Sequence, residues 1–131
     1  MIGLVLVTHA GLAAELLAAA EMIVGRIQLA EVVGIKPETK VDSVMAAITG
    51  AITKVSGDGV IIMTDMFGGT PSNMSLSFLE ENKVEVLTGV NLPMVIKFVG
   101  DRERYGVTEL AYKLKESGIQ AISVAGDYLK K

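Results

Sequence analysis

One histidine, one aspartate and a pair of glycines are the residues of this sequence whose types and spacing could do chemistry. His9 is the only histidine in the chain, so it carries the one imidazole, the side chain that ordinarily exchanges a proton near neutral pH. It closes the run Ile2-Gly3-Leu4-Val5-Leu6-Val7-Thr8 and is followed by Ala10-Gly11. An apolar run rich in Val, Ile and Leu reads as a buried parallel strand feeding a loop. Ligands of open α/β sheets bind at the carboxyl ends of the strands. Taken singly, His9 could be a core or capping histidine; its place at the end of a strand favours a functional one.

The second constellation follows the apolar run Val60-Ile61-Ile62-Met63-Thr64 and reads Asp65-Met66-Phe67-Gly68-Gly69-Thr70-Pro71-Ser72-Asn73. A carboxylate bonded to one imidazole nitrogen fixes the tautomer and leaves the other nitrogen as a nucleophile. Asp65 alone reads equally well as a turn residue bonding its own backbone; opposite His9 it reads as the histidine's partner. Gly68 and Gly69 would let backbone N–H groups approach a ligand just ahead of a helix N-terminus, an arrangement suited to anions. Thr70 and Ser72 add hydroxyl donors, and Thr8 lines the same strand end. A lone Gly-Gly also fits an ordinary loop before a capped helix. Combined with His9 and Asp65, it describes a nucleophilic nitrogen beside a phosphate cradle. Met66 and Phe67 could project from the loop or pack inward.

The elements that must position these residues can be read from periodicity. Helices are expected over Leu12 to Val24, from the capping-box pattern Thr39-Lys40-Val41-Asp42 to Val55, from Thr70 (as N-cap) to about Glu81, from Asn91 and Pro93 through Val99, and from Thr108 to Glu116 with Gly118 as a stop. Strands are expected at Glu31 to Ile35, Val60 to Thr64, Val84 to Thr88 and Ile119 to Val124, besides the first. The charged stretch Asp101-Arg102-Glu103-Arg104 reads as a solvated loop. Strands alternating with helices imply an α/β fold: an open, doubly wound, mainly parallel sheet of order 2-1-3-4 with the last strand at an edge. In that order the loops after strands 1 and 3 face each other, which brings Asp65 to His9.

The 131 residues suit one domain, and a composition half apolar and one-fifth charged is that of a globular chain. The net charge of −3, without a Lys/Arg cluster, argues against nucleic acid. No cysteine and a single histidine leave little for a transition-metal site. There is no G-x-x-x-x-G-K-[ST] phosphate loop and no G-x-G-x-x-G fingerprint, so neither nucleotide nor dinucleotide cofactor is expected. No apolar run approaches a membrane span, and the first strand lacks a basic leader and cleavage site, so a cytoplasmic protein is expected.

Three segments together carry a family likeness: Val7-Thr8-His9 with Gly11, the stretch Thr64 to Asn73, and Gly89-Val90-Asn91-Leu92-Pro93-Met94. On them the sequence resembles, over essentially its whole length, the mannose-class IIA component of the bacterial phosphoenolpyruvate:sugar phosphotransferase system. The resemblance implies a single domain over 1–131. It implies four parallel strands and a fifth, antiparallel strand, Ile119 to Val124, exchanged between the subunits of a homodimer. His9 would accept a phosphoryl group from HPr and pass it to a separate IIB component, itself linked to membrane components IIC and IID. Asp65 would lie beside His9, Gly68 to Thr70 would line the site, and no cofactor would be needed. The family often has Thr-Trp where this chain has Met66-Phe67, a difference that bears on docking rather than chemistry. The sugar is not readable, nor is transport separable from regulation. Two other readings stand: the phosphotransfer subunit of a dihydroxyacetone kinase, which shares the fold and the N-terminal histidine, and a noncatalytic anion- or partner-binding module. The Gly-Gly-Thr-Pro loop favours the IIA reading over the kinase subunit.

Overall fold

The computed structural model describes residues 1–129; Lys130-Lys131, which in sequence read as a solvated end rather than a binding tail, lie outside the described residues. The elements run β1 (Gly3–His9), α1 (Leu12–Val24), β2 (Ala30–Ile35), α2 (Val41–Val55), β3 (Val60–Thr64), α3 (Thr70–Leu76), β4 (Val84–Thr88), α4 (Leu92–Asp101) and α5 (Val107–Gln120), followed by a short 3-10 helix, Ala125–Leu129. The strands pair in parallel in the order β2-β1-β3-β4, as the alternation of elements implies.

The chain steps one way from β1 to β2 and back the other way to β3, so right-handed crossovers place α1 on one face of the sheet and α2 and α3 on the other. Both faces of β1 and β3 are therefore covered, which is why these strands are apolar throughout rather than alternating. Leu4, Leu6, Ile61 and Met63 pack with Met94, Val95, Phe98, Leu110 and Leu114 of α4 and α5. Val5, Val7, Val60 and Ile62 pack with Val44, Ile48, Ala51 and Val55 of α2.

Several local expectations are corrected. Lys40 occupies the cap position of α2 with no side-chain cap bond; the Thr39 hydroxyl instead accepts the Lys36 amide at 3.2 Å, so there is no capping box. The cap of α3 is Gly69, and Thr70 is the first helical residue. That helix ends at Leu76, short of Glu81. Ser75 and Ser77 turn their hydroxyls onto the carbonyls of Pro71 and Met74, a local competition that weakens helices. Asn91 does cap α4, accepting the Met94 amide at 3.1 Å. Gly118 does not stop α5: it lies inside the helix, where a Cβ would stand 2.5 Å from Met94 Sδ, so it is a close-packing glycine.

Asp101 and Arg102 are buried rather than solvated. The Arg102 guanidinium lies over the Phe98 ring and donates to the carbonyls of Ile2, Gln28 and Leu29. It ties the end of α4 to the opening turns of β1 and β2.

The expected last strand is absent among the described residues of this single chain. α5 continues through Gln120, residues 122–124 have no regular structure, and Ile119, Ile122 and Val124 are exposed. A strand needs an edge to pair with, and within one chain this segment is carried on as a helix end before it can reach one.

Candidate active site

The sheet builds the site by register. β1 and β3 are neighbours with Val7 opposite Thr64, so the residues just beyond, His9 and Asp65, emerge side by side at the carboxyl edge. His9 Nδ1 lies 2.7 Å from Asp65 Oδ2, and the same oxygen accepts the His9 backbone N–H at 3.0 Å. The other oxygen, Oδ1, accepts the Met66 amide at 3.0 Å. Both backbone amides around this carboxyl are therefore donors. The Asp65 side chain is 13 % exposed and the His9 side chain 51 %.

Partial burial works to raise the Asp65 pKa, but the bonds from the His9 backbone and ring and the charge of the ring outweigh it and hold the carboxyl below its ordinary range. Asp65 is then ionised at neutral pH and can only accept, so Nδ1 must carry the proton. In the neutral ring the lone pair is then left on Nε2, which makes no hydrogen bond among the described residues.

Gly69 sets the far wall. A Cβ there would stand 2.9 Å from His9 Cε1 and 3.4 Å from Nε2, so the bare backbone lies against the reactive edge of the ring. Its φ of −86° is ordinary; the glycine that needs its conformational freedom is Gly68, at φ +86°. Thr70 is exposed beside Gly69 at the start of α3. Met66 and Phe67 project outward, Phe67 being 73 % exposed.

Two of the site residues expected from sequence have other work. Thr8 is fully buried; its hydroxyl accepts the Ala13 amide at 2.7 Å and donates to the His9 carbonyl at 3.1 Å. It thus takes one of the free amides of α1, whose own cap, Gly11, has no side chain to do so. Ser72 is also fully buried, with its hydroxyl on the Met66 carbonyl. Neither lines the site surface; His9, Asp65 and Gly69 come together there, with Gly68 and Thr70 flanking Gly69 along the chain.

Gly34 escaped the sequence reading. It pairs with Thr8 across β1 and β2, and a Cβ there would stand 2.3 Å from the carbonyl oxygen of Ala10. Ala10 turns the chain after His9 at φ +50°, held by its amide on the Ile35 carbonyl at 2.8 Å. A glycine inside an otherwise apolar strand is the signal for such a close backbone approach.

Among the described residues, no group of three or more His, Cys, Asp or Glu side chains is arranged to hold a metal ion, and no helix is long and apolar enough to cross a membrane. What the geometry offers is an exposed imidazole nitrogen of fixed tautomer against a glycine backbone, equipment suited to nucleophilic chemistry.

Comparison with known proteins gives this equipment a lineage. Residues 3–115 match the family model described as PTS system fructose IIA component. The PTS system sorbose-specific EIIA component of Lacticaseibacillus casei is 29% identical over 124 residues, covering 92% of this chain and 90% of that protein. The PTS system fructose-specific EIIA component of Bacillus subtilis is 34% identical over 73 residues, 55% of this chain and 50% of that protein, so the match spans half of that relative's length. Among solved structures, the mannose/sorbose specific IIA subunit of the phosphotransferase system from Enterococcus faecalis superposes with a TM-score of 0.82 at 28% identity, over 94% of this chain and 93% of that one. The chain belongs to the fructose/mannose-type IIA family of the phosphotransferase system. Its place is among sugar phosphotransferase components.

Proposed function

We propose that this protein is a phosphocarrier that takes a phosphoryl group from phosphorylated HPr onto Nε2 of His9 and hands it to a IIB component. The observation that carries this reading is the 2.7 Å contact between Asp65 Oδ2 and Nδ1, which leaves Nε2 as the free nucleophile on a half-exposed ring.

In the transfer, the Nε2 lone pair attacks phosphorus while the bond from phosphorus to the donor imidazole breaks, its electron pair returning to the donor ring. The Nδ1 proton stays on His9, so the ring gains imidazolium character, which the Asp65 carboxylate offsets. Donor and acceptor are both imidazoles, so the step is nearly balanced and needs positioning and electrostatic support rather than a second reactant. Gly69 leaves room at the ring edge for the phosphoryl oxygens. Thr70, exposed next to it, supplies a hydroxyl donor. Phosphopeptide mass spectrometry after incubation with enzyme I, HPr and phosphoenolpyruvate tests the reading; a chain left unmodified at His9 refutes it.

The same reading includes a homodimer. β4 is a sheet edge with β3 on one side only, beside a groove lined by Glu85, Leu87, Ala111, Tyr112 and Lys115. The apolar segment that could cover such an edge, with Ile119, Ile122 and Val124, lies exposed on the same chain, and an open edge invites a strand. The occupant is the Ile119–Val124 segment of a second copy. Light scattering should give twice the chain mass at micromolar concentration; a stable monomer there counts against the dimer.

A further inference from the structure

Beneath the site lies a buried polar chain that the transfer chemistry does not touch. Thr64, the last residue of β3, and Ser72, in the first turn of α3, are both fully buried. Their hydroxyl oxygens are 2.5 Å apart, and the Ser72 hydroxyl is also 2.5 Å from the Met66 carbonyl, to which it donates. A hydroxyl has one proton. Ser72 spends its proton on Met66, so Thr64 must donate to Ser72. The chain therefore has one direction, from Thr64 through Ser72 to the carbonyl of Met66.

The Met66 peptide is the piece of backbone that carries Asp65. Its N–H is taken by Asp65 Oδ1, and its carbonyl is taken by Ser72. Nothing apolar anchors this loop, since the side chains of Met66 and Phe67 point into solvent. Its other side-chain tie to α3, from Asn73 Nδ2 to the Gly68 carbonyl, is long at 3.4 Å. The backbone carbonyl of Thr64 meanwhile accepts the amides of Gly89 and Val90, which fixes Thr64 against the loop after β4. The polar chain thus runs from the end of β3 to the loop that carries Asp65.

We propose that Thr64 and Ser72 are positioning residues: their hydroxyl chain pins the Met66 carbonyl and so keeps the Asp65 carboxylate aimed at Nδ1 of His9. Neither side chain reaches solvent, so neither can touch a phosphoryl group. Their effect is on the orientation of the pair, and small misplacements at reacting groups cost rate steeply. The kinetic half of this inference rests on the phosphocarrier reading; the geometric half does not.

Three variants test it: Ser72→Ala, Thr64→Val, which keeps the shape and loses the hydroxyl, and Thr64→Ser, which restores the hydroxyl. In the protein alone, nitrogen NMR of His9 Nδ1 and carbon NMR of the Asp65 carboxyl report the contact. In Ser72→Ala and Thr64→Val, the Asp65 titration should move up toward that of an ordinary aspartate and the Nδ1 signal should shift. Thr64→Ser should return both toward wild type. Single-turnover transfer from phosphorylated HPr should slow by roughly tenfold or more in the first two variants, with an unchanged half-saturating donor concentration and with rescue in the third. Wild-type NMR signals in Ser72→Ala overturn the proposal, as does a loss confined to donor affinity. If Thr64→Val does not fold, Ser72→Ala with the same two readouts decides. If the wild-type protein accepts no phosphoryl group from HPr, the phosphocarrier reading fails, and the NMR comparison still decides the positioning role.

Discussion

Asp65→Asn is the change that most directly probes the pair. The carboxylate has two oxygens and three donors around it: the His9 ring and backbone on Oδ2, the Met66 amide on Oδ1. An asparagine offers one oxygen and one N–H₂. Whichever way the amide turns, it sets a donor against a donor, losing about 1–3 kcal/mol for the unmet group. Turning the oxygen to His9 sacrifices only the Met66 bond and keeps Nδ1 protonated, so that is the orientation expected. The remaining loss is charge. Two unit charges at the observed 2.7 Å interact by ~1.5 kcal/mol in water and ~6 kcal/mol at the effective dielectric of a partly shielded pair. A half-exposed ring places the value between these, at about 3 kcal/mol, which slows transfer by roughly 10²-fold. Rapid-quench transfer from phosphorylated HPr measures the rate, and nitrogen NMR of the product locates the phosphoryl group. The variant should still be phosphorylated, slowly, on Nε2. A variant as fast as wild type, or phosphorylation on Nδ1 in the wild-type protein, would show that Asp65 does not orient and support the ring as argued.

Gly69→Val should cut phosphorylation of His9 while leaving the melting temperature nearly unchanged, because φ at this position is ordinary but a side chain there meets the ring at 2.9 Å; wild-type phosphorylation removes the wall from the site. The Asp65 carboxyl should titrate below the ordinary aspartate value of 3.8. Because its folded pKa is lowered, its contribution to stability is complete above that value and is lost as pH falls through the folded one; carbon NMR should show the midpoint rising in His9→Ala, which loses the ring's bond and charge, and an unmoved midpoint refutes the coupling. Arg102→Leu deprives the carbonyls of Ile2, Gln28 and Leu29 of a charged donor and should cost about 2–3 kcal/mol in urea unfolding, with transfer kinetics intact because these groups sit at the far end of the sheet from His9. An unchanged unfolding midpoint would mean that water replaces the guanidinium.

The sequence alone was enough for whatever depends on local pattern and chain order. Apolar runs buried on both faces are continuous, so β1 and β3 were legible. Alternating strands and helices admit few topologies, so the order 2-1-3-4 followed, and with it the meeting of His9 and Asp65 across 56 positions of sequence. Tertiary structure decided what depends on which atoms share a space. Ser72 has the type and spacing of a phosphate ligand, yet the fold seals it under the loop with Thr64. Arg102 sits in a charged stretch that looks solvated, yet the fold buries it against the carbonyls of Ile2, Gln28 and Leu29, to which it donates. Gly118 looks like a helix stop and is a contact with Met94. The segment from Ile119 to Val124 has the side chains of a strand, yet α5 carries it on through Gln120 and it pairs with no strand among the described residues. Side-chain type states what a residue can do; burial and the partners within hydrogen-bond distance select among those uses, and both are properties of the folded chain.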